Sequence, residues 1–163
     1  SADNVLQTPT SLAGTYGNFT LNTTTGAWTY TLDNSKAATQ ALTQGQQVSD
    51  KLTVTSKDAS AIKEIIVTVT GVNDAAAITG SKTGSVTEDQ LVTTASGVLT
   101  VSDVDTGEAL LATPNSATLG GTYGNFTLNT STGTWVYTLD NSKPTTQALA
   151  AGQQVSDQLT GTR

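Results

Sequence analysis

The chain has no cysteine and no histidine. Without cysteine there is no disulfide framework and no thiolate metal site. Without histidine the usual general base near neutral pH and the commonest zinc ligand are both missing. Serine–histidine and cysteine–histidine nucleophile systems are excluded with them. Charge is also scarce: 12% of the 163 residues are charged, 13 acidic against 7 basic, for a net −6. Clustered Lys and Arg, which a nucleic-acid surface needs to neutralise phosphates, are therefore not expected. Attraction to anionic lipid is disfavoured for the same reason. No apolar run approaches the length of a membrane span, so no membrane insertion is expected. No phosphate-cradling glycine loop is present, and no signal peptide is visible. Ser1 reads as a cut within a longer protein.

What the chain has instead is a long internal copy. Gly14 to Thr53 recurs as Gly121 to Thr160 at a constant offset of 107, with 32 of the 40 positions identical. A gapless offset means one structural unit used twice. The period is too long for a solenoid repeat and suits a small domain. Composition favours strands. Hydrophobic residues make up 36%, and Thr, Ser, Gly, Asn and Gln dominate the rest; this is too patterned for disorder, and Thr and Val suit a pleated surface.

Along the chain, Pro9 breaks an irregular lead-in. Phe19 and Leu21 alternate with Thr20, and Trp28, Tyr30 and Leu32 alternate with Thr29 and Thr31, around the turn Asn22–Gly26. That pattern predicts a hairpin. A single helical turn is expected near Ala37–Leu42. Further strands are expected from Leu52 and Val54, over Lys63–Thr70, near Ile78 and at Leu99–Val101. Trp28 and Trp135, centred in alternating strands, are expected to fill cores. Many short strands with frequent turns point to an all-β fold of tandem antiparallel β-sandwiches. The threonine-rich turns Asn22–Gly26 and Asn129–Gly133 occur once per copy, and hairpin turns are the stronger reading over an ice- or sugar-binding array.

Three acidic groups stand out: Asn73-Asp74, Asp103-Val104-Asp105 with Glu108 behind it, and Glu88-Asp89. Two carboxylates on one bend with a nearby Asn-Asp offer oxygens to calcium, which takes six to eight. The same residues also serve as turn formers and strand terminators. A carboxylate pair for glycoside hydrolysis is disfavoured, because Asp103 and Asp105 share one loop with no cleft signalled.

The runs YGNFTLNTTTGAWTYTLDNS, QALTQGQQVSDKLTVTSKD and IIVTVTGVND, followed by AAAITGSKTGSVTED and LTVSDVDTGEA, resemble the VCBS repeat of large bacterial surface proteins. The resemblance covers nearly the whole chain. It implies tandem Ig-like, cadherin-like sandwiches, outside the cell, in RTX-type adhesins and biofilm proteins. On that pattern residues 1–74 are the later part of a first repeat, and residues 75–163 are most of a second, lacking its last strand. The resemblance implies calcium at the junction, held by Asn73, Asp74, Asp103 and Asp105. Asp58, Glu88, Asp89 and Glu108 are weaker candidates. Gln46 and Gln153 stand where the family often has Glu, which lowers the charge available to an ion.

The implied role is a secreted or cell-surface spacer whose partners are neighbouring repeats of the same chain. Other parts of the parent protein would contact a surface polysaccharide, a host or an abiotic surface. A carbohydrate- or protein-binding module and an accessory domain of a secreted enzyme are the alternatives. The out-of-phase boundaries also predict open edges. Closure of the first copy by Ile78–Ser102 in permuted order, or strand exchange between molecules, would cover them.

Overall fold

The computed structural model describes residues 4–162. These divide into two compact units. The first is residues 4–74 with Val104–Thr106, and the second is residues 75–103 with 107–162.

In the first unit, β1 (Gly17–Leu21) and β2 (Trp28–Leu32) form an antiparallel hairpin, with Phe19 opposite Tyr30 and Leu21 opposite Trp28. The connecting turn is built by Asn22. Its side chain accepts from the Thr24 and Thr25 N–H groups, both at 3.0 Å, which is the asparagine turn chemistry expected of the sequence. A one-turn helix, α1 (Ala37–Gln40), follows. Then β3 (Gln47–Thr55) and β4 (Ile62–Thr70) make a second antiparallel pair, with Leu52 opposite Ile65 and Asp50 opposite Val67. Phe19, Leu42, Leu52 and Val69 are the buried apolar residues of this unit. The alternation read in Lys63–Thr70 holds: Ile65, Val67 and Val69 turn inward while Ile66 is exposed.

In the second unit, β5 (Ala77–Gly80), β6 (Thr94–Ser102), β7 (Gly124–Leu128) and β8 (Thr134–Leu139) form one four-stranded sheet in the order β5-β6-β8-β7. Two more one-turn helices belong here, α2 (Ser116–Leu119) and α3 (Pro144–Gln147). Trp135, Tyr137 and Leu139 form the buried cluster. Val86, Ala95, Leu99, Tyr123, Phe126 and Leu128 pack against it.

The expected all-β architecture of tandem Ig-like or cadherin-like sandwiches is corrected by this arrangement. The fold is mixed α/β, with three short helices and small open sheets. The helices arise from local chemistry. The Asn115 side chain caps α2 by accepting from the Ala117 N–H at 3.0 Å. Pro144 opens α3 with its backbone already set for a helix. Thr39 and Thr146 tie α1 and α3 to the Tyr16 and Tyr123 carbonyls. The sheets stay small because each copy has a different half of its pairing partners. Segment 154–160 repeats 47–53 with one change, yet it carries no strand, whereas in the first copy β4 supplies the ladder. Residues 94–98 pair with β8, so the permuted closure of the first copy does not occur. Trp135 is buried as expected, but Trp28 is 45% exposed.

Candidate functional site

The sequence directs attention to the acids between the copies. Within the first unit, Asp105 is 2% exposed and its Oδ2 accepts the Asp74 N–H at 2.9 Å. The Asn73 N–H donates to the Gln44 side chain at 2.9 Å, and its own amide donates to the Asp74 carbonyl at 2.6 Å. The Thr106 N–H donates to the Ala41 carbonyl at 3.1 Å. Thus the short run Val104–Thr106 is held to the helix α1 end and the exit of β4. Asn73, Asp74 and Asp105 are neighbours there.

The remaining candidates sit elsewhere. Asp103 and Glu108 belong to the second unit. Asp58 occupies the β3–β4 turn, where it accepts from the hydroxyls of Ser56 (2.7 Å) and Ser60 (2.8 Å) and from the Ser60 N–H (3.1 Å). Those serine hydroxyls hold its carboxyl down to a pKa of about 2. Asp89 adopts a left-handed backbone, φ 58°. Its N–H donates to Asn141 and its carboxylate accepts from Gln147, both at 3.2 Å. Beside it, Glu88 Oε2 is enclosed without a hydrogen-bond partner among the described residues.

A calcium ion asks for six to eight oxygens around one point. The first unit gathers the start of such a set in Asp74, Asp105 and the Asn73 amide. Among the described residues, however, no group of three or more Asp or Glu side chains is placed to hold a metal. The fit is therefore partial, and no ion-dependent step is built on it.

A different pair of acids organises the two copies, one that the sequence reading passed over. Asp50, in β3 and 3% exposed, accepts the backbone N–H groups of Thr15 (2.7 Å), Tyr16 (2.9 Å) and Gly17 (3.1 Å) and the Tyr30 hydroxyl (2.6 Å). Asp157 accepts from Thr122, Tyr123, Gly124 and the Tyr137 hydroxyl at 2.7, 2.9, 3.1 and 2.7 Å. Each partner is displaced by 107. Lys36 and Lys143 repeat the pattern, donating to the Gly14 and Gly121 carbonyls at 2.9 and 2.8 Å.

Burial works against the charge of each aspartate, but the tyrosine hydroxyl and the three N–H groups outweigh it. Both carboxyls are held below the usual carboxylate range. The two tyrosine hydroxyls shift upward, by burial first and then by donation to the carboxylate. Chemically the site is a clamp. It fixes the GTYG loop and the hairpin to one charge, carried by β3 in the first copy and by the strandless segment 154–160 in the second. Two hints lay in the sequence: an Asp inside an alternating run, where Asp is disfavoured, and its recurrence at a fixed distance from GTYG.

No family model matches the chain, and no curated protein matches it significantly.

Proposed function

We propose that this chain is an extender or spacer segment of a secreted or cell-surface bacterial adhesin, of the VCBS-repeat type, supporting adhesion and biofilm formation. The observation that carries the reading is the pair of copies. A 40-residue segment recurs at an offset of 107, and in each copy the same carboxylate clamp makes the same four hydrogen bonds. A unit reproduced this closely within one chain suits a role in which number matters, as in a spacer.

The test is small-angle scattering on chains carrying two, four and six periods of 107 residues. A spacer gives a maximum dimension that rises in proportion to the number of periods. Growth no faster than that of a single compacting globule overturns the reading. Calcium enters as a variable of the same experiment. An ion bound to the folded state raises the melting temperature at millimolar calcium, and chelator reverses the rise. No response removes calcium from the proposal and leaves the spacer reading in place.

A further inference from the structure

The strands β2 and β8 are the same segment in two settings, WTYTL and WVYTL. In the second unit β8 is paired on both sides, by β7 and β6. In the first, among the described residues, β2 is paired only by β1. The consequences fall on matched residues. Trp135 is 8% exposed and Trp28 45%; Leu139 is 8% exposed and Leu32 40%. The covering segment can be read from the second unit. The Trp135 indole N–H donates to the Ser81 carbonyl at 2.8 Å. Gly97 lies against the indole so closely that a Cβ there would collide with it. Val86, Ala95 and Leu99 complete the cover. The Leu99 N–H donates to the Gly133 carbonyl at 2.9 Å, and the Leu99 backbone lies directly on Gly133. The matched Gly26, with nearly the same φ, faces open space.

We infer that the open edge of β2 is an acceptor for one added β-strand, donated by a further copy of the repeat through the segment matching Ala77–Ser102. The register follows from β6 on β8, where Thr94, Ala95, Ser96, Gly97 and Val98 face Thr138, Tyr137, Val136, Trp135 and Thr134. On β2 the donated residues face Thr31, Tyr30, Thr29, Trp28 and Ala27. The donor needs a glycine opposite Trp28 to admit the indole, and a carbonyl at the Ser81 position to accept its N–H. Added strands of this kind gain affinity from main-chain hydrogen bonds and specificity from the side-chain pockets. The inference rests on the two copies alone and does not depend on the spacer reading.

A synthetic peptide of residues 77–102, added to the intact chain, tests it. The expected result is a blue shift of Trp28 emission and new amide-exchange protection confined to residues 27–32. The second unit should not respond, because its own segment is tethered and outcompetes the free peptide. The same peptide carrying Gly97→Val must bind about tenfold more weakly or worse, because the added side chain overpacks the indole site. Three results overturn the inference. One is no protection of residues 27–32 by the peptide. A second is protection that grows with chain concentration alone, with dimers in sedimentation, which assigns the edge to β2–β2 pairing. A third is a Trp28 response to oligosaccharides but not to the peptide, which makes Trp28 a sugar platform.

Discussion

One carboxylate with four donors ties each unit together, buried at Asp50 and half-buried at Asp157. Asp50→Ala leaves three backbone N–H groups and a tyrosine hydroxyl without their acceptor, and the expected loss is about 3–5 kcal/mol of unfolding free energy. Asp157→Ala removes the same bonds from a more solvated position, so water replaces part of what is lost and the cost is smaller, about 1–2 kcal/mol. Urea unfolding of both variants at neutral pH checks the order. The acid dependence has a definite sign. The folded carboxyls sit below their unfolded value, about 3.9, so the unfolded chain binds protons first as pH falls. Their stabilisation is complete above about pH 4 and fades as pH drops toward the folded values. Asp50→Asn should therefore be clearly destabilising at pH 7, and its gap to the parent should be narrower at pH 3. An unchanged gap between the two pH values would show that the charge contributes nothing. In the sequence Asp50 stands just ahead of the strand expected from Leu52. Its partners lie 33 to 35 residues away in the GTYG loop, and no local pattern announces contacts at that range. Among the weaker ligand candidates, Asp58 is held by turn chemistry between neighbours, Ser56 and Ser60.

Individual strands were legible wherever alternation was strong and a partner was close in sequence. The hairpin around Asn22–Gly26 and the strand Ile62–Thr70 come from local pattern, turn residues and short connections. The one-turn helix near Ala37 was legible too, yet its recurrence and the cap at Asn115 moved the architecture away from all-β. Sheet membership was not legible, because it depends on which strand reaches an edge. Gly26 and Gly133 isolate that effect. Both have φ near 75° (75° and 72°), so alanine at either pays the left-handed backbone penalty, about 1 kcal/mol. Only at Gly133 would the new methyl also strike the Leu99 backbone, where β6 crosses. Gly133→Ala should cost at least about 2 kcal/mol more than Gly26→Ala. Equal costs in denaturant titrations would mean that the β6–β8 pairing is not held in solution.

On the scale of the molecule, each unit shows what the other copy's shared sequence becomes in different company. In the first, β4 pairs along the whole of β3, and Leu52 is 4% exposed. In the second, Leu159 is only partly buried and Val155 is 39% exposed, in a stretch without a strand. The residues are nearly the same, so the difference lies in the pairing strand and not in intrinsic propensity. This yields a direct test. Replacing Gly161–Arg163 by the sequence Val54–Val72 supplies the second unit with its own β4-type strand, joined by the Ser56–Ser60 turn that already makes the hairpin in the first. Residues 154–162 should then become strand, and Asp157 should become as enclosed as Asp50. Burying Leu159, Val155 and the facing valines should raise the stability of that unit by about 2–4 kcal/mol. Circular dichroism reads the added strand, and amide exchange shows new protection across 154–162. If the appended segment stays unprotected while the rest of the chain is unchanged, then β3 draws its strand state from something other than β4.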